Sequence, residues 1–127
     1  MTGDQLADLL RDDDVTRKVR LLVVHGSRAR GDAAPGSDWD FAYLAAPTVD
    51  VIGLTLALTT ALGTDDVDLV DLGTASALLR YRCAHDGIAV IERDPEVFLD
   101  FRLEATLFWC DLEPVIRAAH RDVLASL

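Results

Sequence analysis

LLVVHGSRARGDAAPGSDWDFAYL, residues 21–44, is the stretch on which the fold turns. Leu21-Leu22-Val23-Val24 is an unbroken run of leucine and β-branched residues, which suits a strand buried on both faces. It stops at His25-Gly26, so the strand is expected to end in a glycine turn where the chain leaves the sheet. Phe41 to Leu44, preceded by Pro35-Gly36-Ser37, reads as a second strand paired with the first across a short helical or looped excursion.

Upstream, Leu6, Leu9 and Leu10 sit at helical spacing behind Thr2 or Asp4 as N-cap, which predicts an amphipathic helix over the first dozen residues. Downstream, apolar residues at 51, 54, 58 and 61/62 form a helical stripe that Gly63 terminates. Val67 to Leu72 reads as a third strand, Leu78 to Ala84 as a short helix, and Ile88 to Glu92 as a fourth strand entered through Gly87. From Pro95 to Leu127, Phe101, Ala105, Phe108, Leu112, Val115, Ala119 and Val123 recur every 3.5 to 3.6 residues, the signature of a long helix packed on one face. Pro114 lies inside it, so a kink or a break is expected around Asp111 to Pro114. The order α-β-α-β-α-β-α-β-α belongs to an α/β fold, a mixed sheet covered by helices.

The chain has 127 residues, enough for one domain and too few for two. Half are hydrophobic and 27% charged, the balance of a packed globular protein. Twenty-two acidic residues against twelve basic ones give a net charge of −10, and Lys18 is the single lysine. Such a surface disfavours direct nucleic-acid binding, which needs phosphate-neutralising cations, and suits a basic protein partner or bound metal. Cys83 and Cys110 lack any Cys-x-x-Cys or Cys/His spacing and read as reduced core thiols, not zinc ligands. Met1 to Asp14 has neither the cationic nor the apolar segment of a signal peptide, and Val49 to Leu62 is too short and interrupted to span a bilayer. A cytoplasmic chain without membrane contact is expected.

The residues that carry chemistry follow the first strand. Gly26 lets the backbone approach a ligand, and Ser27 offers a hydroxyl and main-chain amides at a helix start, donors suited to an anion. Arg28 and Arg30 add positive charge beside it. After ten intervening residues, Ser27 is followed by Asp38-Trp39-Asp40. Side chains alternate along a strand, so Asp38 and Asp40 share one face and Trp39 takes the other, on the core side. Two adjacent carboxylates repel each other unless a divalent cation lies between them, and hard oxygen ligands suit Mg²⁺. A third carboxylate would complete a two-metal site for displacement at phosphorus. Asp66, Asp68 and Asp71 are the candidates. Asp68 is the choice, because it lies inside a strand read as buried, where an unpaired charge is costly.

Gly26-Ser27 followed by Asp38-x-Asp40 resembles the signature of the DNA polymerase β-like nucleotidyltransferase superfamily. Within it, GSRARGDAAPGSDWDFAYL and the later VDLVDLGTASALLRYRCAHDGIAVIERD are similar to the minimal nucleotidyltransferase (MNT) antitoxins. The likeness runs from about Leu21 to the C-terminus. It implies one minimal nucleotidyltransferase domain over residues 1–127, with a helical tail from about 95 to 127. It also implies a partner, since these antitoxins are encoded beside a HEPN-domain toxin, a helical RNase, and transfer AMP from ATP to one of its tyrosines. By that likeness Gly26 and Ser27 contact the triphosphate, Arg28, at a basic position of the motif, joins them in binding the nucleotide, and Asp38 and Asp40 ligate Mg²⁺. Asp68 either activates the attacking hydroxyl or shares the second metal. His25 and Trp39 depart from the usual pattern without removing a reacting group, and His25 either packs or contacts nucleotide.

Two other readings remain. The chain could neutralise its toxin by masking it, with the aspartates dispensable, or adenylylate a small molecule, which usually calls for an additional domain around the acceptor. Arg80 and His85 match the Arg-x4-His spacing of a HEPN RNase site, but their segment runs into Gly87 and a strand instead of paired long helices, so the match reads as coincidence. Asp66, Asp71 and His120 read as surface groups.

Overall fold

A computed structural model describes all 127 residues. The apolar run after residue 18 forms β1 (Val19–His25), and the Asp-x-Asp segment opens β2 (Trp39–Ala45). These strands pair antiparallel, with α2 (Ser27–Arg30) as the short excursion between them. β3 (Val67–Asp71) lies parallel to β2, which requires a crossover, and α3 (Val51–Leu62) supplies it. β4 (Ile88–Glu92) pairs antiparallel with the free side of β1, giving the order β3-β2-β1-β4. The expected mixed sheet and the order of helices and strands are both present.

Strand alternation divides the core. Leu22, Val24, Phe41 and Tyr43 point to one face and pack against α1 (Gly3–Leu10) and α3 through Leu6, Leu10, Leu54 and Leu58. Leu21, Val23 and Ala42 point to the other face, under α4 (Ala77–Asp86) and α5 (Val97–Ala125), where Cys83, Ala84, Val97, Phe101 and Ala105 close over them. Thr2 caps α1 in a capping box with Gln5, and Asp50 and Ser76 cap α3 and α4 by accepting from Gly53 and Leu79 main-chain N–H groups. A 3₁₀ turn, Asp14–Lys18, precedes β1 and was not anticipated; its five residues carry no periodicity to read. No helix is long and apolar enough to cross a membrane.

In the tail, the break expected at Pro114 is absent: α5 is one helical element of 29 residues through it. The proline forfeits only the bond to the Cys110 carbonyl, and the turns on either side carry the helix across the gap. Nor is the helix packed along its length, because its buried residues, Val97, Phe101 and Ala105, all lie in the first three turns. One turn further on, Trp109 still stacks on Tyr81 of α4 with ring centroids 5.8 Å apart, and from there the helix projects from the sheet. Cys110 falls in this region and is exposed, so only Cys83 is a core thiol.

Candidate functional site

Asp38, Asp40 and Asp68 lie at one end of the sheet. By alternation Asp40 shares a face with Ala42, the face that α4 and α5 cover further along, and Asp38 and Asp68 share its parity. In the β2–β3 ladder Asp40 stands directly opposite Asp68. Trp39 points the other way, half-buried against the α1/α3 core and stacked on Phe41 with ring centroids 6.0 Å apart, as expected. Asp68 itself contradicts the reason for which it was chosen. β3 is an edge strand and Asp68 is exposed, so water solvates the charge and burial makes no demand for a partner. What singles it out is register with Asp40, which the residue's own neighbourhood in sequence does not reveal.

Gly26 closes β1 beside these carboxylates. Its backbone, at φ 69 and ψ -153 degrees, lies in a region almost reserved for glycine. A Cβ placed there would collide with Asp40 Oδ2. The missing side chain thus makes the space in which the Asp40 carboxylate sits. Ser27 begins α2; Ala29 and Arg30 donate their main-chain N–H groups to the Gly26 carbonyl, and those of Ser27 and Arg28 precede the first such bond of the helix. Gly31, with φ also positive, ends α2 by donating to the Ser27 carbonyl.

The carboxylates offer only hard oxygen donors, the set that suits Mg²⁺. As they stand, no three His, Cys, Asp or Glu side chains converge on a single point. Mg²⁺ does not require that, since it is usually held by one or two carboxylates together with substrate phosphates and water. The in-register Asp40–Asp68 pair, with Asp38 beside it, fits this kind of binding.

The two arginines do different work. Arg28 donates from Nη2 to the Ser37 carbonyl at 2.8 Å and lies 4.5 Å over the Trp39 ring, so its guanidinium clasps the 34–37 turn on the Trp39 side of the sheet. It lines a pocket of about 200 Å³ with Pro35, Trp39, Leu62 and Asp66. Arg30 reaches Asp32 at 3.3 Å and Asp86 at 3.9 Å, the latter tying α2 to the end of α4. Asp86 was missed in the sequence, where nothing connects it to residue 30.

His25 stands opposite Asp40 on β1. Burial pushes its pKa below the ordinary histidine value, against the opposing pull of the Asp40 charge and the Phe41 backbone. The imidazole is therefore neutral at pH 7, and its Nε2 is buried without a partner. Cys83, beneath the same face, has its thiol pushed up to about 12 by burial and by Asp40, and is inert as a nucleophile. Arg80 bonds the Leu72 carbonyl and lies 5.2 Å over Phe101, while His85 pairs with Asp86 at 2.7 Å. Both hold structure, in keeping with a coincidental spacing. Asp71 caps the turn after β3 by accepting from Gly73 N–H at 2.8 Å, and Asp66 is exposed.

Residues 4–96 match the family described as polymerase beta, nucleotidyltransferase. A protein adenylyltransferase MntA from Shewanella oneidensis is 37% identical over 103 residues, spanning 77% of this chain and 72% of the relative. Among solved structures, a toxin–antitoxin complex with AMP-PNP superposes with a TM-score of 0.76 at 31% identity, over 98% of this chain and 99% of the other. A complex of the tri-AMPylated HEPN toxin of Shewanella oneidensis with its MNT antitoxin superposes with a TM-score of 0.69 at 30% identity, over 96% of this chain and 95% of the other.

Proposed function

Because the chain belongs to the polymerase β-type nucleotidyltransferase family, we propose that it is the antitoxin of a HEPN/MNT pair, a protein adenylyltransferase that moves AMP from ATP to a tyrosine of its HEPN RNase toxin. The observation that carries this reading is the Asp40–Asp68 pair, in register on adjacent strands, with Asp40 against Gly26 of the Gly26-Ser27 turn and Asp38 just before β2. Its place of action is the cytoplasm.

Each residue has a task in this reaction. The amides at Gly26-Ser27 receive triphosphate oxygens at the start of α2. Asp38, Asp40 and Asp68 would hold Mg²⁺, which when bound supplies positive charge against the phosphates at the reacting centre. Asp68 is exposed, so an incoming phenol can reach it. It accepts the phenolic proton as the tyrosine oxygen bonds to the α-phosphorus and the bond to pyrophosphate breaks. Arg28 acts one step away, fixing the 34–37 turn that delivers Asp38. Catalysis then comes from positioning and charge compensation, without a covalent enzyme intermediate.

Incubation with ATP, Mg²⁺ and the cognate toxin should add whole AMP units to the toxin, read by intact-mass spectrometry. Asp38→Asn or Asp40→Asn should slow this at least about a hundredfold, the scale of losing one preorganised electrostatic partner. An unmodified toxin in the wild-type reaction refutes the proposal. Full rescue of toxin-arrested growth by the doubly substituted chain would favour masking instead.

A further inference from the structure

We propose that the projecting half of α5 is the surface by which this chain holds its protein substrate, with the toxin docking along Phe108, Leu112, Val115, Ala119 and Val123. The partner's identity rests on the functional reading above; the surface rests on the fold.

The apolar stripe of α5 is continuous, but its cover is not. Val97, Phe101 and Ala105 are buried against the sheet. The same face of the helix continues at helical spacing into Phe108, Leu112, Val115, Ala119 and Val123. Of these, Phe108 is 58% exposed, Val115 63% and Val123 59%. At 1.5 Å per residue, roughly 30 Å of helix beyond Ala105 contains no buried residue. An amphipathic helix draws most of its stability from tertiary packing, so this face calls for a cover from outside.

Three observations name the occupant. The match to the nucleotidyltransferase family ends at residue 96, immediately before α5 begins at Val97. The helix is thus an addition to the shared catalytic part, where a branch-specific acceptor would be recognised. Its root packs on the same sheet face as Ala42, toward which Asp38, Asp40 and Asp68 also point, whereas the opposite face is closed by α1 and α3. A protein gripped by the helix therefore meets the chain on this face and not on the α1/α3 face, past the β3–α4 turn, where Phe108 lies beside Gly73, Ala75 and Ala77. Finally, a second copy would bring another net charge of −10 and be repelled, while an RNase must carry a basic surface for its RNA and is attracted.

The test compares Val115→Asp/Val123→Asp, both at exposed positions, with Leu103→Asp, which lies on the opposite side of the same helix. Toxin affinity is measured by calorimetry without ATP, and AMP transfer by steady-state kinetics. The double variant should bind toxin at least about tenfold more weakly, as expected for disrupting an interface centre. Its KM for toxin should rise in proportion, with kcat at saturating toxin and Mg–ATP binding unchanged, and Leu103→Asp should behave as wild type. Unchanged affinity in the double variant overturns the proposal, as does equal loss from Leu103→Asp. A wild-type homodimer that the double variant dissolves, with toxin affinity kept, also overturns it and assigns the stripe to a second copy. Loss of binding confined to the double variant supports it even where wild type transfers no AMP, a result that would refute only the functional reading.

Discussion

Gly26 joins the two parts of the motif, because its backbone turns the chain out of β1 and its missing side chain leaves room for Asp40. Gly26→Ala should cost about 1–3 kcal/mol of stability, the penalty for a non-glycine residue in that conformation. The new methyl group also displaces the Asp40 carboxylate, so AMP transfer should fall much further than the unfolded fraction accounts for. Urea unfolding and transfer rate on the same sample separate the two effects, and an alanine variant of full activity would sink the assignment. At this scale the sequence was most informative where chemistry depends on near neighbours. Two-residue periodicity sufficed to put Asp40 and Trp39 on opposite faces. Asp68 was found through a mistaken premise of burial, since its true link to Asp40 is a cross-strand register between residues 28 positions apart. Arg28 shows the converse: its charge beside the turn was legible, but not that the Trp39 ring and the Ser37 carbonyl would engage it.

Elements were legible wherever a period or a cap marked them, as in α3 between Asp50 and Gly63. The 3₁₀ turn has no such mark, and its tie to the fold is Arg93, 77 residues away, bonding the Thr16 carbonyl. In α5 the period was read correctly and its meaning was not. Apolar spacing says which face of a helix avoids water but not whether this chain supplies the cover. The proline offers a way to measure that independence. In a helix interior proline costs about 3 kcal/mol relative to alanine. Where a helix is packed into the core, Pro114→Ala would raise global stability by a comparable amount. Here nothing from Thr106 onward is buried, so the gain should stay local. Hydrogen exchange should slow around residues 110–118, while the urea transition moves by less than about 0.5 kcal/mol, the range of neutral surface changes. A global gain of a few kcal/mol would mean that the projecting half unfolds together with the sheet.

For the whole molecule, charge is the property that composition fixes and folding distributes. A net charge of −10 on a chain with one lysine makes a field that any basic partner senses before contact. The contact itself, along the far half of α5, is apolar: Phe108, Val115 and Val123 can hold a docked partner but cannot attract it from a distance. Approach and retention are thus assigned to different residues, and salt should separate them. The screening length shrinks from about 10 Å at 0.1 M to about 3 Å at 1 M. Over that range the association rate with toxin should fall steeply, as it does for electrostatically steered pairs. The dissociation rate, governed by desolvated apolar contacts, should change little. Val115→Asp/Val123→Asp should give the opposite pattern, with faster dissociation and an association rate near wild type, since two more negative charges do not weaken the attraction. Surface plasmon resonance against immobilised toxin across a salt series reads both rates. A salt-independent association rate would remove steering from the account, and a salt-sensitive dissociation rate would mean that ion pairs, and not the apolar stripe, hold the complex together.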